Sequence, residues 1–104
     1  MLAGTPSSRP DKIETTKKGS TYIFTFPNFQ GAERITNFEV RVLDTSTNQV
    51  IMSSSKKHSY LSGPTVTFEV DGLKSDRKYE ISFRGINPSG EGEWSSPVSV
   101  GESK

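Results

Sequence analysis

Read for the alternation of apolar and polar side chains, the chain divides into short segments in which every second residue is aromatic or β-branched. Clusters of Gly, Pro, Asn and Ser separate them. The clearest segment runs from Ile35 to Leu43, where Phe38, Val40 and Val42 alternate with Glu39 and Arg41. A period of two sends one set of side chains to a core and the other to water. Over Thr21 to Phe26 the pattern puts Tyr22, Phe24 and Phe26 on one face against Thr21 and Thr25; Ile23 breaks it, and Pro27 ends the strand because it has no N–H to give a ladder. Thr65 to Val70 points Val66, Phe68 and Val70 inward. Further strands are expected over Pro10 to Thr15 around Ile13, where the signal is weak, over Gln49 to Ser53 as a short sheet edge, over Lys78 to Ile86, and in a last strand that brings Trp94, Val98 and Val100 to the core. No window holds the i, i+3, i+4 spacing of an amphipathic helix.

Between these strands, Lys17-Lys18-Gly19-Ser20, Asp44 to Asn48 and Asp71-Gly72 carry turn-forming residues, and the polar run Ser53 to Ser62 reads as a loop. Seven short strands at intervals of roughly ten residues predict an all-β fold, a seven-stranded antiparallel two-sheet sandwich of the immunoglobulin-like kind. The length of 104 residues fits one domain. It is expected over 9–101, with a flexible lead at 1–8 and a tail at 102–104.

Composition narrows the chemistry. Cys is absent, so a disulfide framework, a thiol nucleophile and a thiolate metal site are all excluded. Thirteen basic against twelve acidic residues leave a formal charge of +1 and no excess for phosphate backbones, so nucleic acid is not an expected partner. Apolar runs such as Val50 to Met52 fall far short of the roughly 20 residues of a membrane span. No N-x-[ST] acceptor occurs, and there is no Arg-Gly-Asp. The lone histidine, His58, sits in a polar stretch that offers no Ser, His and Asp constellation. Asp71, Asp76, Glu91 and Glu93 are scattered rather than gathered as metal ligands. Gly90-Glu91-Gly92 lacks the helix and Lys-Ser/Thr of a phosphate loop. The basic clusters Lys17-Lys18, Lys56-Lys57 and Lys74 with Arg77-Lys78 read as solvated turns. No cofactor, metal or catalytic residue is therefore expected, and the chain does not read as an enzyme.

From Leu73 onward the order of residues becomes specific. Leu73 and Tyr79 lie six apart, Ile81, Phe83 and Gly85 continue an inward face, and Asn87-Pro88-Ser89-Gly90-Glu91-Gly92-Glu93-Trp94-Ser95 follows, with Pro97 and Val98 beyond. This stretch resembles the second half of a fibronectin type III domain, including its N-x-x-G-x-G-x-W-S run. The resemblance implies that Tyr79 is the tyrosine-corner residue, its hydroxyl bonded to backbone a few residues upstream. It implies that Gly90 and Gly92 allow positive φ, and that Trp94 lies over the sheet edge. In the first half Phe26 stands where the family usually has Trp, Phe38 where it has Tyr, and Ser75 and Arg77 where Pro and Thr are common, which marks a divergent member. The core expected on these grounds is Phe26, Phe38, Val40, Phe68, Leu73, Tyr79, Ile81 and Trp94.

The resulting expectation is a non-catalytic interaction or spacer module of a larger surface, adhesive or virion protein, monomeric and flanked by neighbouring domains. Alternatives are an accessory module of a secreted polysaccharide-degrading enzyme and an adhesion or receptor module of an animal protein. Recognition of a protein or glycan would use loops at one end, Pro27 to Arg34, Asp44 to Asn48 or Asn87 to Glu93, with Asn87, Ser89, Gly90, Glu91, Gly92 and Glu93 as the candidate binding loop. An exposed edge strand over Gln49 to Ser53 offers a second route.

Overall fold

The computed structural model describes residues 9–28, 35–57, 63–74 and 76–101. His58, Ser75, the segment 29–34 of the expected Pro27 to Arg34 loop, the lead at 1–8 and the tail at 102–104 lie outside the described residues.

The strands are β1 (Glu14–Lys18), β2 (Thr21–Pro27), β3 (Asn37–Asp44), β4 (Gln49–Lys57), β5 (Thr65–Val70), β6 (Lys78–Asn87), β7 (Gly90–Glu91) and β8 (Val98–Gly101). They form two antiparallel sheets. One has the order β1-β2-β5; the other runs β4-β3-β6-β7, with β8 also on β6. The core lies between them because each half-buried strand obeys its alternation. Phe24 and Phe26 of β2, Val66, Phe68 and Val70 of β5, Phe38, Val40 and Val42 of β3, and Tyr79, Ile81 and Phe83 of β6 are all buried. Phe26 meets Phe38 nearly edge-on at 5.3 Å and Phe83 at 5.2 Å, so it fills the centre where the resemblance leads one to expect Trp.

Eight segments replace the seven expected because the last strand is interrupted. Both β7 and β8 lie on β6, and between them Ser95 keeps contact: its N–H donates to the Phe83 carbonyl at 2.7 Å and its Oγ accepts from the Phe83 N–H at 3.0 Å. At the far end Gly101 has φ 88°, and a Cβ there would strike the carbonyl oxygen of Arg77, so only glycine fits where β8 closes on the turn before β6.

Other expectations change. The first strand begins at Glu14 rather than Pro10, and it runs through Lys17 and Lys18, leaving Gly19 and Ser20 as the turn. All five β1 side chains are exposed, so no alternation marks it; its backbone ladder to β2 creates the strand. Likewise β4 continues to Lys57 instead of stopping at Ser53, because β3 offers a partner along its whole length, up to Asn37 opposite Lys57. Lys56-Lys57 therefore lies in a strand and not in a turn. A bulge between Val42 and Leu43 in the β3–β4 register leaves Val50 and Ile51 about half exposed on this edge, at 49% and 50%. Asp71-Gly72 makes no hairpin: β5 and β6 belong to different sheets, and Gly72, at φ 80°, opens the crossing between them.

Candidate interaction surfaces

The strand register sorts the loops. Asn37 at the start of β3 lies opposite both Lys57 and Ile86, and Thr65 at the start of β5 lies opposite Pro27. The connections after β2, β4 and β6 thus share one end of the sandwich. Asp44–Asn48 was expected among them, but it sits at the other end of β3, with the Gly19-Ser20 turn and Arg77. Antiparallel strands carry successive turns to opposite ends, so these three loops cannot form one surface.

Within the candidate binding loop, Asn87 is buried and organises the turn. Its Oδ1 accepts from the N–H of Ser89 at 2.9 Å and of Gly90 at 3.2 Å. Gly90 takes φ 137° as the resemblance implied; Gly92 does not have positive φ, and its N–H donates to the Gly85 carbonyl at 2.8 Å. The turn presents Pro88 and Ser89 to solvent, together with Glu91 and Glu93. Glu91 reaches Arg84 at 3.2 Å. Nearby, Asn28 braces the same end: its N–H donates to the Pro64 carbonyl and its Nδ2 to the Gly63 carbonyl at 2.7 Å.

Trp94 departs from its expected place. It is half-buried and outside the core, lying against the outer face of the larger sheet, where the guanidinium groups of Arg41 and Arg84 both stand 4.3 Å from its ring. Arg84 in turn holds Glu39 at 2.6 Å. The reason is register: Glu39 faces Arg84 across β3 and β6, and Arg41 is two residues on, so the outward set of both strands builds a charged floor beneath the indole. Glu39, Arg41 and Arg84 were not singled out from the sequence, although their position on the polar phase of the two strands was the available signal. Leu73, also expected in the core, packs at its margin, while Phe26, Phe38, Val40, Phe68, Tyr79 and Ile81 are buried in it.

At the opposite end, Tyr79 is buried and its hydroxyl accepts from the Lys74 N–H at 3.0 Å, the bond expected of a tyrosine corner. Beside it the buried Asp44 accepts from the N–H of Ser46 at 2.9 Å, from its Oγ at 2.7 Å, and from Arg77 Nη1 at 2.7 Å. These hydrogen bonds, those from Ser46 foremost, hold the Asp44 carboxyl below its ordinary 3.8. The same bond to Asp44 raises the Arg77 guanidinium.

Among the described residues no group of three His, Cys, Asp or Glu is gathered as a metal site. Open clefts among the described residues include one of about 450 Å³ between Arg9–Ile13 and Ser96–Val98 and one of about 310 Å³ between β4 and β5. What this surface offers chemically is shape, charge and strand edges.

Comparison with known proteins agrees. The sequence model of the fibronectin type III domain matches residues 8–101. The chain is similar in structure to the FN1–FN3 domains of chicken CNTN1, with 14% identity and a TM-score of 0.71, covering 95% of this chain and 33% of that one. The chain thus spans about a third of that fragment. It is also similar to the fn3 domain of human contactin 1, with 14% identity, a TM-score of 0.71 and coverage of 95% and 80%. A third likeness is to the FN5 domain of Drosophila Lar, with 16% identity, a TM-score of 0.60 and coverage of 99% of both chains. With two antiparallel sheets, a bonded tyrosine corner and a family match over nearly the whole length, the chain belongs to the fibronectin type III domain family.

Proposed function

We propose that this domain is a non-catalytic interaction or spacer module of a larger surface, adhesive or virion protein, positioning its neighbours and meeting a protein partner through its loops. Members of the family generally serve as binding or spacer modules, which supports the first half of the reading. The observation that carries it is where the chain enters and leaves. β1 starts opposite Thr25, near the loop end, and β8 finishes opposite Lys78, at the other end. Flanking domains joined at these points stand on opposite sides of the sandwich, separated by a body whose longest strand, β6 at ten residues, spans about 30 Å. The turn tips at the entry end, Pro88 and Ser89 among them, are exposed and lie beyond the core, so they tolerate variation. Through its parent this module acts outside the cell, at a cell surface or on a virion.

The test is replacement in the parent protein. Deleting 9–101 should impair attachment or assembly, and an unrelated sandwich of equal length in its place separates the two roles. Restored function assigns spacing, and unrestored function assigns partner contact. A deletion that leaves attachment and assembly intact overturns the reading.

A further inference from the structure

The open side of the sandwich lies between edge strand β4 of one sheet and edge strand β5 of the other, where Ser54, Lys56, Thr67, Phe68 and Glu69 line the smaller cleft. Residues of an antiparallel strand turn both their N–H and their C=O to one side, and the side alternates along the chain. The carbonyl of Thr67 accepts from Lys56 Nζ at 2.8 Å, and Lys56 reaches it from the opposite sheet, so this carbonyl is not in the ladder to β2. By alternation Thr65, Thr67 and Glu69 all present their backbone groups to the free edge.

The strand so presented has six residues, contains neither Gly nor Pro, and is rich in β-branched side chains. An edge of this kind invites another strand unless something obstructs it, and a lysine on the edge is a common obstruction. Here the obstruction is specific: the Lys56 ammonium occupies the central carbonyl of the edge and stands 5.8 Å over the Phe68 ring.

We propose that β5 is a strand-addition site whose occupant is β5 of a second copy of this chain, and that Lys56 holds the site closed. Antiparallel pairing about a two-fold axis at Thr67 sets Thr67 opposite its counterpart, Thr65 opposite Glu69 and Val66 opposite Phe68. Apolar residues meet apolar residues on the inner side, and no like charges face each other on the outer side. The register uses the backbone groups of Thr65, Thr67 and Glu69, which the ladder to β2 leaves free. Glu69, in the same cleft, receives the displaced ammonium. Edge β4 is a poorer candidate, since it carries the bulge and ends in Lys56 and Lys57.

Sedimentation of the 104-residue chain provides the test. Lys56→Met should dimerise with a Kd at least about tenfold below that of the wild type. Adding Thr67→Pro should return the variant to a monomer, because proline deletes an N–H that faces the free edge and that β2 does not use. Amide exchange supplies a reading that needs no proline: in Lys56→Met the amides of Thr65, Thr67 and Glu69 should gain protection as concentration rises. Association of Lys56→Met no tighter than wild type, or a dimer whose β5 amides gain no protection, overturns the proposal.

Discussion

Two residues near the exit end carry much of the polar chemistry of this domain. Asp44 takes hydrogen bonds from Ser46 and Arg77 while almost fully buried, and its carboxyl is held below the ordinary 3.8. A group whose folded value is depressed stabilises the fold above its unfolded value and loses that contribution as pH falls through the folded one. The wild type should therefore lose denaturant midpoint between about pH 5 and about pH 3 more steeply than Asp44→Asn, which has no carboxyl to protonate. Equal slopes would show that the Asp44 cluster adds nothing to the acid response. Tyr79 was legible in the sequence because its place six residues after Leu73 matches the fibronectin type III pattern, a local signal. The burial of Asp44 was not, since an Asp among Thr, Ser and Asn looks like any solvated turn and its partner Arg77 lies 33 residues away.

Among the strands, legibility followed burial. β2, β3, β5 and β6 each bury one face and show it as alternation, whereas β1 and most of β4 bury nothing and are defined by the backbone of a neighbour. The same principle separates the two aromatics that the sequence placed together in the core. Phe26 is 1% exposed among Phe38, Phe68 and Phe83, so Phe26→Ala should cost about 3 to 5 kcal/mol. Trp94 rests outside the core on two guanidinium groups, and Trp94→Ala should cost only about 1 to 2 kcal/mol. Urea melts of the two variants check the order, and equal losses would return Trp94 to the core. The candidate loop was legible in position, because Gly90 and Asn87 are strong turn signals. The Arg41, Trp94 and Arg84 stack was not, since it joins β3, β6 and the link between β7 and β8, which only the register brings together.

For the molecule as a whole, entry beside Thr25 and exit beside Lys78 determine how it bears tension. Pulling the two ends apart drags β1 and β8 along their own lengths, so their hydrogen bonds are loaded together in shear instead of opening one by one. The two strands are unequally anchored. β8 buries Val100 and wedges Gly101 beneath the Arg77 carbonyl, while β1 has five exposed side chains and its ladder to β2, with only Pro10 and Ile13 ahead of it as apolar anchors. Under a rising force β1 should shear free first, releasing the chain from Arg9 to Ser20, about 40 Å of contour, before the body ruptures. Force spectroscopy on a tandem array should record that small step ahead of each main event, and single-step rupture would refute it. In a chain of such modules the first strand acts as a slack element, lengthening under load while the core stays folded.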